Sequence, residues 1–262
     1  MATMTSIKTT TIAMTSATMR DDMDDGMHGD LGLVSALGLL RLQSWLSPTF
    51  PMGTYSYSHG IEWAVDAGHV HDRDSLVEWL DADLRYGSGR NEAILLREAW
   101  RHTAEPSRTK LLRIAALASA LRSTSEFALE ASQQAAACLA TLRDVWPDRA
   151  LDWLAQALRE HKLQPALSVV LGIRAARQGI PARLALVAFL NSYVANLVTA
   201  GVRLIPLGQT DGQLAIAAGE HALLGLAAEA EASTIDDLGS AAVMVDFASM
   251  GHETQYTRLF RS

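Results

Sequence analysis

The chain has 262 residues with 22 basic against 29 acidic side chains and a formal net charge of −7. It therefore lacks the positive field that general nucleic-acid binding draws on, and it is long enough for one large domain or two small ones with a sizeable core. Cys138 is its only cysteine, which excludes an internal disulfide or an all-cysteine metal site within one chain and fits a reducing compartment.

Residues 1–30 are rich in Met, Thr, Ser and Asp and carry no helical or alternating pattern of large apolar side chains. Such a segment cannot offset its ordering entropy by burial, so a disordered N-terminal tail is expected. The opening MATMTSIKTTTIAMTSATMR lacks the apolar middle of a secretory signal, and no apolar run approaches the ~18 residues that span a bilayer. A cytoplasmic protein with no membrane or nucleic-acid partner is expected.

From residue 31 to 245 the composition turns to Ala and Leu at helical spacing, with almost no β-branched alternation, which predicts an all-α fold. The punctuation divides it into about nine or ten helices in a single-domain bundle, beginning with 33–46, which stops before Pro48, and 58–67, which ends at Gly68. A third is expected to start at Ser75, with Glu78 completing a capping box and Leu76, Leu80 and Leu84 along one face. Further helices are predicted at about 91–102, 107–122, 125–145 and 150–161, with Trp146-Pro147 as a break, then 164–178, 181–204 and 211–232. Neither a repeat nor a linker divides this body.

Four features invite a chemical reading. Asp21-Asp22-Met-Asp-Asp25 has the DDxxD spacing with which helical prenyl synthases hold magnesium, but it lies in the tail without a second acidic motif. Gly68-His-Val-His-Asp72 brings two imidazoles and a carboxylate together, a set that suits nickel or zinc, yet as a loop entering a helix its ordinary reading is polar surface. Gly87-Ser-Gly89 and Gly208-Gln-Thr-Asp-Gly212 lack the lysine of a phosphate loop. No GxSxG elbow is present, and Cys138 sits in an Ala-rich helical run that suits a buried inert thiol. No catalytic residue and no cofactor emerge.

Two segments stand apart. FPMGTYSYSHGIE at 50–62 inserts Pro, Gly, two tyrosines and a histidine between amphipathic helices. Residues 246–262 end on Leu259 and Phe260 flanked by Arg258 and Arg261, a mixture of apolar anchors and guanidinium groups like that of a binding hot spot. Either this tail packs on its own domain or it docks a partner and orders on binding.

The first of these segments, the run LVTAGVRLIPLGQTDGQ at 197–213 and the terminal SMGHETQYTRLFRS at 249–262 carry a resemblance. The chain resembles the UreF family of urease accessory proteins. The resemblance implies an all-α protein that is not an enzyme. It also implies one that forms homodimers in complex with the accessory protein UreD, also called UreH, a complex that recruits the GTPase UreG. In that assembly nickel is delivered to apo-urease, travelling through a protein tunnel. Tyr55 and Arg258 match family residues associated with the face that receives UreG, and the segment from about Met250 matches one that orders on meeting UreD. The candidate partner-binding residues are Tyr55, His252, Glu253, Tyr256, Arg258, Leu259 and Phe260, with no metal ligand among them. The chain departs from the family pattern over Glu126 to Ala137, where EFALEASQQAAA has alanines in place of an arginine and a glycine. It also has Leu163-Gln164 where the family often has a histidine, and no function is assigned to either region. Two alternatives stay open: a regulator of GTP hydrolysis by UreG, and a helical metal-dependent enzyme using the aspartate cluster or His69 and His71.

Overall fold

The computed structural model describes residues 36–262; the expected disordered tail at 1–30 and its aspartate cluster lie outside the described residues. In chain order the helices are α1 (Ala36–Trp45), α2 (Ile61–Asp66), α3 (Arg73–Tyr86), α4 (Ser88–Ala104), α5 (Arg108–Ala120) and α6 (Ser125–Val145). They continue as α7 (Arg149–Glu160), α8 (Leu167–Arg177), α9 (Ala182–Leu204), α10 (Gln209–Ala232) and α11 (Val243–Glu253). Short 3-10 turns occupy Thr54–Ser56 and Ile235–Asp237. The fold is all-α, as expected, with eleven α-helices among the described residues where nine or ten were predicted.

The additional helix is α11, in a stretch expected to be the partner-docking tail. VMVDFASMGHE holds Ser249 and Gly251, which weaken a helix by propensity. Tertiary packing overrides that preference. A side chain at Gly251 would meet the Trp63 ring at 2.4 Å, and one at Gly60 would meet the α11 backbone at Ser249 N at 3.1 Å. The two glycines let α2 and α11 approach backbone to ring. α11 begins ahead of residue 246, so only residues 254–262 run as irregular chain beyond it.

The start of α3 is also displaced. Asp72, not Ser75, is the N-cap: its carboxylate accepts from the Ser75 amide at 2.9 Å, while Ser75 Oγ accepts from the Asp72 amide at 3.1 Å. A carboxylate three residues earlier satisfies the same orphan amides and moves the helix start toward the N-terminus. Leu76, Leu80 and Leu84 do line its buried face.

α4 and α8 form the most extensive helix pair, with α9 packed on both and on α10. Gly172 makes the pairing close, since a Cβ there would fall 2.5 Å from the Leu96 carbonyl oxygen. Ile94, Leu95, Leu96, Val169, Val170 and Ile173 are almost wholly buried at this seam, each worth about 1.5–3 kcal/mol of transfer from water. α9 corrects the expectation that no apolar run is long enough for a bilayer: its 23 residues pass by length and composition. It is a core helix here. Leu186, Phe189, Leu190, Val194, Leu197 and Val198 are buried among its neighbours.

Candidate partner-docking site

The 50–62 stretch is anchored before it becomes polar. Phe50 and Met52 are buried, and the Phe50 ring stacks on Trp146 with centroids 6.4 Å apart and planes 8° from parallel. Gly53 then takes φ 71°, a left-handed turn that glycine adopts without strain, and a 3-10 turn carries Tyr55 outward at 72% exposure. Tyr57 turns inward and donates its hydroxyl to Gln133. Burial raises its pKa, with Arg261 opposing and Glu130 assisting.

Residues 254–262 lie along this loop. The Arg261 amide donates to the Ser56 carbonyl at 2.8 Å, and the Ser262 carbonyl accepts from the Ser58 amide at 2.7 Å and from Ser58 Oγ. Glu62, on the first turn of α2, directs its carboxylate to the same segment: Oε1 accepts from the Leu259 amide and Oε2 from the Phe260 amide at 2.9 Å. Glu62 thus caps the segment's backbone as well as lying in the first turn of α2.

α6 supplies the other wall. Glu126 Oε1 accepts from Arg258 Nη1 at 2.8 Å, and Ser262 Oγ donates to Glu130 Oε2 at 2.8 Å. His252 is fully buried between the two walls, Nδ1 at 2.7 Å from Glu126 Oε2 and Nε2 at 3.0 Å from Glu62 Oε2. The ring thus bridges the carboxylates of α6 and α2. Phe260 is buried, and Arg203 of α9 covers its ring at 4.4 Å while donating from Nη1 to the Tyr55 carbonyl at 2.7 Å. One guanidinium therefore joins the loop, α9 and the segment.

Comparison with known proteins bears on what this assembly is for. A UreF family model matches residues 70–219. The chain is 46% identical over 234 residues to the urease accessory protein UreF of Bradyrhizobium diazoefficiens, covering 89% of this chain and 96% of that protein. It is 44% identical over 232 residues to UreF of Rhodopseudomonas palustris strain BisB5, at 88% and 94% coverage. With UreF of Granulibacter bethesdensis it shares 44% over 239 residues, covering 90% of this chain and all of that protein. The chain belongs to the UreF family. It is accordingly a urease accessory protein and not itself an enzyme.

In UreF-family terms, the stretches that carried the resemblance, 50–62, 197–213 and 249–262, meet at one place through Tyr55, Arg203 and Phe260. Of the sequence-predicted residues, Tyr55, Glu253, Tyr256, Arg258 and Leu259 are exposed, Tyr256 completely. Glu253 accepts from Ser125 Oγ. His252 and Phe260 are interior and hold the exposed ones in place. Sequence reasoning missed Glu126 and Glu130, in the region left without a function. Their signal was two carboxylates at i, i+4 on an Ala-rich helix, and both are buried.

The rival sites differ. His71 is exposed, its Nε2 3.6 Å from Asp72 Oδ2, and His69 rests against Trp63 with centroids 5.8 Å apart. Among the described residues no group of three or more His, Cys, Asp or Glu side chains is arranged to hold a metal ion. Cys138 is buried, and burial pushes its thiol up to about 12, far from the range of a nucleophile.

Proposed function

We propose that this UreF-family protein is the interaction scaffold of a cytoplasmic complex that inserts nickel into apo-urease, bridging UreD (UreH) and the GTPase UreG as a homodimer. Nickel is cargo in this reading, and GTP hydrolysis belongs to UreG. The observation that carries it is the convergence of three separate stretches on one face. Buried carboxylates, His252 and Phe260 fix the backbone there, and Tyr55, Tyr256, Arg258 and Leu259 are left exposed. Rigid backbone beneath an exposed Tyr, Arg and Leu set is the build of a docking hot spot, because the ordering entropy has been met before the partner arrives.

Tyr55 and Arg258 are the residues proposed to receive UreG, and the α11 end with residues 254–262 is proposed to meet UreD. Arg258 spends one nitrogen on Glu126, which orients its exposed guanidinium. Co-purification of the full chain with UreD, UreG and apo-urease tests the reading, and failure to retain UreD at any salt concentration or nucleotide state would overturn it. Tyr55→Ala is expected to lose UreG capture with the helical circular-dichroism signal intact. Arg258→Lys, which keeps charge but loses the planar fork, separates a regulator of GTP hydrolysis from a docking role. Lost capture supports docking; normal capture with an altered GTPase rate supports regulation.

A further inference from the structure

His59 has no place in the contacts proposed above. It is buried, takes φ 54°, and stacks on Phe127 with ring centroids 4.0 Å apart. A non-glycine residue in left-handed backbone is uncommon and is held there by its surroundings. Those surroundings are polar. Nδ1 lies 3.2 Å from Glu130 Oε2 and Nε2 3.2 Å from the Tyr193 hydroxyl. Tyr193 has one hydroxyl proton, which it donates to Asp83 Oδ2 at 2.6 Å, so toward His59 its oxygen can only accept. Both ring nitrogens thus face acceptors, and a neutral imidazole has one N–H to divide between two.

The charged groups around the ring come from every side. Glu130 belongs to α6 and Asp83 to α3; Arg122, after α5, opposes them but is itself paired with Glu92 of α4 at 2.6 Å. Burial lowers the ring's proton affinity, and Glu130 and then Asp83 outweigh it, so the pKa stands above its ordinary value of 6.5. Glu130 is also the acceptor for Ser262 Oγ at 2.8 Å, and Ser58, adjacent to His59, holds the Ser262 carbonyl.

We propose that His59 is a positioning residue carried as imidazolium, and that its proton lets Glu130 grip the C-terminal segment, making the seating of residues 261–262 on 56–58 proton-linked. Loss of the proton leaves one acceptor facing a bare ring nitrogen and Glu130 without its buried counter-charge. A group whose folded pKa is raised contributes stability in full below its unfolded value, about 6.5, and loses it as pH rises through the folded value. The segment is therefore seated firmly at mildly acidic pH and loosens above neutrality. That partner capture follows the same profile rests on the docking reading above; the linkage itself belongs to the chain alone.

The test uses the full chain without partners. Ring NMR follows His59, and hydrogen exchange follows the Ser58 and Arg261 amides, normalised to an unstructured peptide of the same sequence, from about pH 6 to about pH 9. The expected result is a ring bearing both N–H protons at the low end and loss of amide protection in step with its titration. His59→Asn, which tolerates left-handed backbone, is expected to show a pH-flat protection profile, and Glu130→Gln a shift of the midpoint to lower pH. A neutral ring with the amides still protected at the low end overturns the proposal, as does a wild-type pH profile in His59→Asn. Should that variant fail to fold, the coincidence of ring titration and amide exchange in the wild type decides. Partner capture that ignores pH while the amides follow His59 counts against the docking reading and leaves the linkage standing.

Discussion

Glu62→Gln isolates one of the contacts that hold the C-terminal segment against α2. The substitution keeps the side chain's length and shape but replaces one carboxylate oxygen with an NH2 donor. In the native chain both oxygens are engaged, one by the Leu259 amide, the other by the Phe260 amide at 2.9 Å and by His252 Nε2 at 3.0 Å. The amide can accept with one oxygen only, so at least one charge-assisted hydrogen bond is lost, about 1.5–3 kcal/mol. At about 1.4 kcal/mol per factor of ten, the docked segment becomes roughly ten- to hundredfold less favoured over the released one. The loss is local, because residues 254–262 belong to no helix. Hydrogen exchange at the Leu259 and Phe260 amides is expected to accelerate by that factor, while amides of α4 and α8 change less. Unchanged protection at both amides in Glu62→Gln would refute the carboxylate's role in holding the segment.

Three further outcomes follow from the same geometry. Removing residues 254–262 is expected to leave far-UV circular dichroism nearly unchanged but to lower Tm, since it uncovers the Phe260 site, worth about 1.5–3 kcal/mol, and strands the carboxylates of Glu62, Glu126 and Glu130; an unaltered Tm would show that the segment adds no stability. Gly172→Ala forces a methyl against the Leu96 carbonyl oxygen and is expected to cost about 1–3 kcal/mol by overpacking, read as a lower denaturant midpoint at unchanged slope. Because burial by itself disfavours the charged ring and Glu130 with Asp83 reverses this for His59, Tm of the wild type is expected to fall more steeply above about pH 6.5 than that of Glu130→Gln; parallel profiles would rule out the linkage.

What the residues determined by themselves is what local chemistry can specify. α6 has the bounds expected of it, Ser125–Val145, because Thr124 caps it through the Phe127 amide at 3.1 Å and Pro147 stops it. The apolar spacing of Leu76, Leu80 and Leu84 set the inner face of α3, and the terminal RLF with its neighbours was specific enough to indicate the family. Helix starts wavered where two residues compete for one role, as Asp72 and Ser75 do, since either side chain can satisfy the same amides within a turn. α11 escaped altogether, because its glycine reads as a weakness until Trp63 is laid against it.

The framework that holds the candidate residues together was decided by tertiary structure. Ser58 and Ser262 are 204 positions apart, Glu62 and Phe260 198, and Glu130 and Ser262 132, and no local propensity brings such pairs together. Nothing in the local sequence around Glu62, Glu126 or Glu130 indicates that these carboxylates are enclosed. Only the crossing of α2, α6 and α11 encloses those carboxylates, and enclosure leaves the segment's amides, Arg258 and His252 as the partners they meet. Burial is what makes them decisive, because an unpaired carboxylate is cheap in water and costly out of it.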